Sequence, residues 1–139
     1  METWLDESYG KLEFDSKNRI IKLTLIGDIS DENYKHIWNF GLEEAVKENC
    51  GNVFVDQRQI GYIKMMSRAW LMLKWMPKSK LVMKDTERKL AIIPSKHIVH
   101  QAGLNYLLDS LKKVLGYTFE FFESEEEVIS FFSSTKKEQ

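Results

Sequence analysis

Two five-residue runs, "NVFVD" at residues 52–56 and "KLAII" at residues 89–93, constrain this chain more than any other feature. Each is too short for a stable helix, is largely apolar, and is bounded by polar residues or, after Ile93, by Pro94. That is the pattern of a strand covered on both faces. Strands of this kind need helices packed on the sheet, and the flanking sequence supplies them. "GDISDENYKHIWNFGLEEAVKEN" carries Tyr34, Ile37, Trp38, Leu42, Ala45 and Val46 at helical spacing. Asp28, Ser30 and Asp31 are its candidate N-caps, and Gly51 is expected to stop it. Ile98, Ala102, Tyr106, Leu107, Leu111 and Leu115 repeat the helical spacing up to Gly116.

The ends of the chain complete the order. "GKLEFD" and "RIIKLTLIG" are β-type runs joined by "SKN", a hairpin signal, and Ile21, Leu23 and Leu25 alternate with Lys22 and Thr24. "YTFEFF" reads as a last strand and "SEEEVISFF" as a last helix, with a capping box at Ser124 and Glu127. The expected fold is α/β: one mixed, mostly parallel five-stranded sheet with four helices, ordered β-β-α-β-α-β-α-β-α. Residues 1–139 form a single domain on this reading, with loose tails at about residues 1–8 and 134–139.

The sequence "YIKMMSRAWLMLKWM", residues 62–76, lies between the two apolar runs. On a helical wheel of about 100° per residue, Leu71, Trp75, Met72, Met76, Ala69, Leu73 and Trp70 cover most of the circumference. Only Ser67 and Lys74 form a clear polar wedge. A helix apolar nearly all round is either buried on both sides or covers something else. Packing under the helix at residues 97–115, or under the N-terminal segment with Trp4, is one expectation. The other is that Met65, Met66, Trp70, Leu73, Trp75 and Met76 form a surface for a protein partner, a second copy, or an apolar small molecule or lipid.

Charge is unevenly distributed. The net charge is −1, yet residues 58–96 carry ten bases and two acids, while residues 1–57 carry twelve acids and six bases. Lys78, Lys80, Lys84, Arg88 and Lys89 around Leu81, Val82 and Met83 have the composition of a basic amphipathic surface for anionic lipid, or of a solvated face. No nucleic-acid-binding motif is present, and a pI near 6.3 gives little bulk attraction. No apolar run approaches the roughly 18 residues that span a bilayer, "METWLDESYG" lacks the character of an export signal, and Cys50 is the single cysteine. A cytoplasmic protein without a disulfide is expected.

For chemistry, the strand ends bring forward Asp28, Asp56, Arg58, Ser95 and His97, where open α/β sheets bind ligands. No nucleophile elbow, phosphate loop or metal motif accompanies them. His36, His97 and His100 make no recognisable zinc set without an acidic or cysteine partner. No catalytic residue, metal or cofactor is expected.

The element order, with "LTLIGDIS", "NVFVDQRQIGYIKMMS" and "FEFFESEEEVISFF", resembles the STAS/SpoIIAA-like superfamily of anti-sigma-factor antagonists and their relatives. The resemblance implies a regulatory or binding domain without catalysis. In the sporulation-type branch a serine opening the helix after the central strand is phosphorylated to block binding of an anti-sigma kinase. Ser67 is the nearest match by spacing from Asp56, although "MMSRAW" stands where that branch has an Asp-Ser-Ser-Gly type of motif. The branch related by fold to CRAL-TRIO lipid-transfer domains lacks the motif and is the nearer likeness. Three functions follow as expectations: partner or apolar-ligand binding through the Trp/Met-rich helix, peripheral membrane or lipid binding through residues 58–96, and a phospho-regulated antagonist switched at Ser67.

Overall fold

Both apolar runs are central strands. The computed structural model describes residues 1–95 and 118–137. Its strands are β1 (Glu2–Glu7), β2 (Gly10–Asp15), β3 (Ile20–Ile29), β4 (Asn52–Ile63), β5 (Lys89–Ile93) and β6 (Thr118–Phe121). They form one sheet in the order β1-β2-β3-β4-β5-β6. The first two pairings are antiparallel and the next three are parallel, so β4 and β5 each have hydrogen-bonded neighbours on both sides.

The sheet has six strands where five were expected. The additional strand is β1, formed by the segment read as a loose tail. It pairs with β2 from Glu2↔Phe14 to Glu7↔Gly10, and Trp4 stacks on Phe14 with ring centroids 4.9 Å apart. An edge strand with acidic residues at both ends has a weak sequence signature, because only one side of it is paired. At the other end of the chain the helix continues to Lys137, past the expected boundary near residue 134.

Alternation along the strands divides the core in two. Leu12, Ile21, Leu23, Leu25, Val55, Leu90 and Ile92 face one side, against helix α1 (Asp31–Glu48) and the helical run at residues 65–82. Ile20, Phe54, Ala91 and Ile93 face the other, against Val128 and Phe132 of α4 (Glu125–Lys137). The period of two in "IIKL" and "KLAII" thus sends consecutive residues into different clusters.

Helix α1 starts where the sequence placed it. Ser30 is the N-cap, and its hydroxyl accepts from the Asn33 backbone N–H at 3.2 Å. Its end differs from expectation. Asn49, at φ 51°, terminates the helix, and its N–H reaches the carbonyls of Ala45 and Val46. Asparagine tolerates the left-handed conformation because its short side chain bonds locally. Gly51 has another role: a Cβ there would meet the Glu87 carbonyl oxygen at 2.2 Å, so the chain crosses too closely for any side chain.

The run at residues 65–82 comprises α2 (Met65–Trp70), a π-helical turn (Leu71–Trp75) and α3 (Met76–Val82). The Met76 N–H donates to the carbonyl of Leu71, five residues back. Pro77 accounts for the wide turn, since it has no N–H for the Leu73 carbonyl and its ring would strike that carbonyl in a regular helix. The extra residue also keeps one stripe against the sheet: Ser67, Leu71, Trp75, Met76, Ser79 and Met83 are all buried. No helix among the described residues is long and apolar enough to cross a membrane.

Candidate functional site

The strand-end residues do not gather into a reactive set. Asp56 is buried on the face that α4 covers, and Arg58 grips it with a two-point fork, Nε to Oδ1 at 3.0 Å and Nη2 to Oδ2 at 2.7 Å. Arg58 also reaches Glu125 at the start of α4 at 2.8 Å, and Lys22 of β3 meets the same carboxylate at 3.2 Å. Burial opposes ionisation of Asp56, but the Arg58 hydrogen bonds outweigh it and hold the carboxyl below its ordinary range. Glu125 behaves alike, with Lys22 and Arg58 overcoming its desolvation. The four side chains form a clamp between the sheet and α4. Only Asp56 and Arg58 of this set had been singled out; Lys22 and Glu125 lie 103 residues apart, which no local pattern encodes.

The other strand-end residues lie elsewhere. Asp28 is exposed, and its carboxylate accepts from the Tyr62 N–H at 2.7 Å where β4 passes. Ser95 is buried just after β5, and His97 and His100 lie outside the described residues, as does the helix expected at 97–115. Among the described residues no three His, Cys, Asp or Glu side chains come together as metal ligands.

Ser67 is completely buried. It is the third residue of α2, inside the helix rather than at its N-cap, which is Lys64. Its hydroxyl donates to Asp31 Oδ1 at 2.7 Å, tying α2 to the first turn of α1. Asp31 also pairs with Lys35 at 3.0 Å. The Ser67 hydrogen bond and then Lys35 hold the Asp31 carboxyl below its ordinary range.

The Trp/Met-rich run divides sharply by face. Of the two expectations for this run, burial holds for Trp75 and Met76, which belong to the core. The Trp75 indole N–H donates to the Trp38 carbonyl at 2.9 Å, and its ring meets Trp38 edge-on with centroids 4.9 Å apart. At uniform pitch the residues at every fourth position, Ser67 to Met83, would drift about 40° per step around the helix; the π turn takes up part of that drift. Met65, Met66 and Leu73 project outward with 84%, 82% and 69% of their surface exposed.

Beside them, half-buried Trp70 walls a groove between α2 and the start of α1. The groove has a volume of about 430 Å³, and Met66, Leu73, Asp31, Lys35, Lys64 and Lys74 also line it. Lys35 Nζ lies 5.7 Å from the Trp70 ring centroid, a cation–π contact. The sequence brought forward Met66, Trp70 and Leu73 for such a surface, placed Lys64 and Lys74 in the basic segment 58–96 and Asp31 among the N-cap candidates, and did not single out Lys35. The i,i+4 spacing of Asp31 and Lys35 was the available signal. An internal apolar cavity beside Trp38 and Trp75 measures about 30 Å³. That is little more than a water molecule's share of space, whereas the groove falls within the roughly 300–1,000 Å³ of small-molecule sites.

No family model matches the sequence, and no curated protein does. Among solved structures, an uncharacterised DUF3478-family protein with a SpoIIAA-like fold from Shewanella loihica PV-4 superposes with a TM-score of 0.61. The two are 17% identical over 95% of this chain and 98% of that one. At that identity the likeness shows the fold: α/β, with a mixed sheet, of the SpoIIAA-like kind.

Proposed function

We propose that this chain is a non-enzymatic binding domain, of the superfamily branch without the serine motif, that recognises an apolar-bearing partner through the outer face of residues 65–73. One observation carries the reading: Met65, Met66 and Leu73 are largely exposed beside a tryptophan-walled groove, although the same helix has a complete buried stripe of its own. The helix does not need these side chains for packing against the sheet. Large exposed apolar groups clustered in one place mark an interaction surface more often than scattered ones do. The engagement of Asp56 by Arg58, and of Asp28 by the Tyr62 backbone, supports binding over catalysis at the strand ends. The buried hydroxyl of Ser67 supports a packing role over a phosphorylation switch.

The test is a photo-crosslinking amino acid at position 66 or 73, compared with one at the exposed Lys17 on the β2–β3 turn. Expected is an adduct, to protein or to lipid, from positions 66 and 73 in cells, absent from position 17 and lost when Leu81→Glu is added. Labelling no different from that at position 17 would refute the reading.

A further inference from the structure

We infer that the partner of this face is an anionic lipid surface, on which the helical run at residues 65–82 lies in the plane of the headgroups. The inference rests on the binding role proposed above and names its occupant. Ser67, Leu71, Trp75, Ser79 and Met83 point at the sheet. Within the helical run, the residues two positions from each of these lie on the opposite side, and they are Met65, Ala69, Leu73, Pro77 and Leu81. Every one is apolar, while Met76, also buried, has Lys74 and Lys78 two positions to either side, so that lysines flank the apolar line. Met65, Leu73 and Leu81 are 84%, 69% and 74% exposed, Pro77 is exposed and Ala69 is half-buried. The molecule therefore carries an outward apolar ridge from Met65 to Leu81, about 24 Å at the rise of a helix. The π turn that keeps the inner stripe on the sheet also keeps this outer ridge in line.

Charge decides what the ridge fits. Residues 57–84 contain seven lysines and arginines and no acidic residue. Lys64, Lys74, Lys78 and Lys84, all exposed, occur before, along and after the ridge. Asp31, the acid in the neighbouring groove, is already engaged by Ser67 and Lys35. Lysines interleaved with an apolar ridge put their stems against acyl chains and their ammonium groups among anionic headgroups. The ridge is long and outward-facing, so it can enter a fluid surface without a matching cleft, and methionine adapts to irregular surroundings. A protein partner needs a complementary acidic furrow and is the competing outcome of the test.

The experiment is vesicle flotation of the full chain, with phosphatidylcholine alone or with about one-third phosphatidylserine. Expected is flotation with the anionic vesicles and not the neutral ones, abolished in about 0.5 M salt, where screening is short-ranged. Leu73→Glu and Leu81→Glu, at exposed positions, should each lower the bound fraction about tenfold with an unchanged melting temperature. Lys17→Glu should bind as the parent does. Flotation that ignores vesicle charge, or that survives Leu73→Glu, overturns the inference. Failed flotation with a discrete protein adduct at position 73 overturns the lipid partner and leaves the binding surface standing. Failure of both flotation and position-specific crosslinking removes both.

Discussion

Leu73 and Trp75 are two residues apart on one helical run and have opposite surroundings. Trp75 is 5% exposed, hydrogen-bonded through its indole N–H and packed edge-on against Trp38, whereas Leu73 is 69% exposed. Truncating a buried tryptophan removes transfer energy and leaves a cavity its neighbours only partly fill. Trp75→Ala should therefore cost about 3–5 kcal/mol, enough to unfold a marginal domain. Leu73→Ala should stay within about 0.5 kcal/mol of the parent. Urea denaturation of the two variants checks both values, and equal losses would mean that the face assignment is wrong. Ser67 marks the limit of spacing as a guide to a residue's surroundings. Its spacing from Asp56 suits a helix opening. What spacing cannot convey is that the hydroxyl turns inward to Asp31, so that an added phosphate would sit against a carboxylate in a closed site.

At the scale of elements, the strands were legible where burial is two-sided or alternation is strict. "KLAII" and the hairpin of β2 and β3 occupy the positions read for them. β4 was recognised but read too short: it runs on to Ile63 through "QRQIGYI", where exposed polar residues hide a strand that still pairs with β3 up to Ile29↔Ile63. The π turn was illegible to a uniform wheel: Leu73 and Trp75 fall on opposite faces at ordinary pitch, and what the irregularity changes is the later register, keeping Ser79 and Met83 in line with Ser67 and Leu71. If the turn is a one-residue insertion held in place by Pro77, it can be removed. Deleting Met72 alone should restore ordinary pitch but force Pro77 against the Leu73 carbonyl, at a cost of about 3 kcal/mol. Deleting Met72 together with Pro77→Ala should recover most of that loss, because both flanks keep their register on the sheet. Thermal melts of the single and double variants check the sign. A double variant no better than the deletion alone would detach Pro77 from the origin of the turn.

For the whole molecule, the clamp of Lys22, Asp56, Arg58 and Glu125 ties the sheet to α4 across the face opposite the proposed binding surface. The folded-state carboxyls of Asp56 and Glu125 are held below their unfolded values. Groups shifted this way contribute stability that is fully present above the unfolded pKa, about 4, and lost as pH falls through the folded value. Stability should thus be level between about pH 6 and 8 and decline below about pH 5. Arg58→Ala sharpens the test. It deletes both side-chain bonds to a buried carboxylate, so burial gains weight and the Asp56 carboxyl rises relative to the parent. With the Arg58 side chain 45% exposed and that of Asp56 5% exposed, the loss near pH 7 is about 2 kcal/mol, below the cost for a fully buried pair. Once Asp56 is protonated in both proteins the partner no longer matters, so the gap between parent and variant should narrow as pH falls from about 6 to 3. Melting temperatures measured across that range decide it: a gap that stays constant or widens in acid would show that Arg58 acts through packing and not through the Asp56 charge.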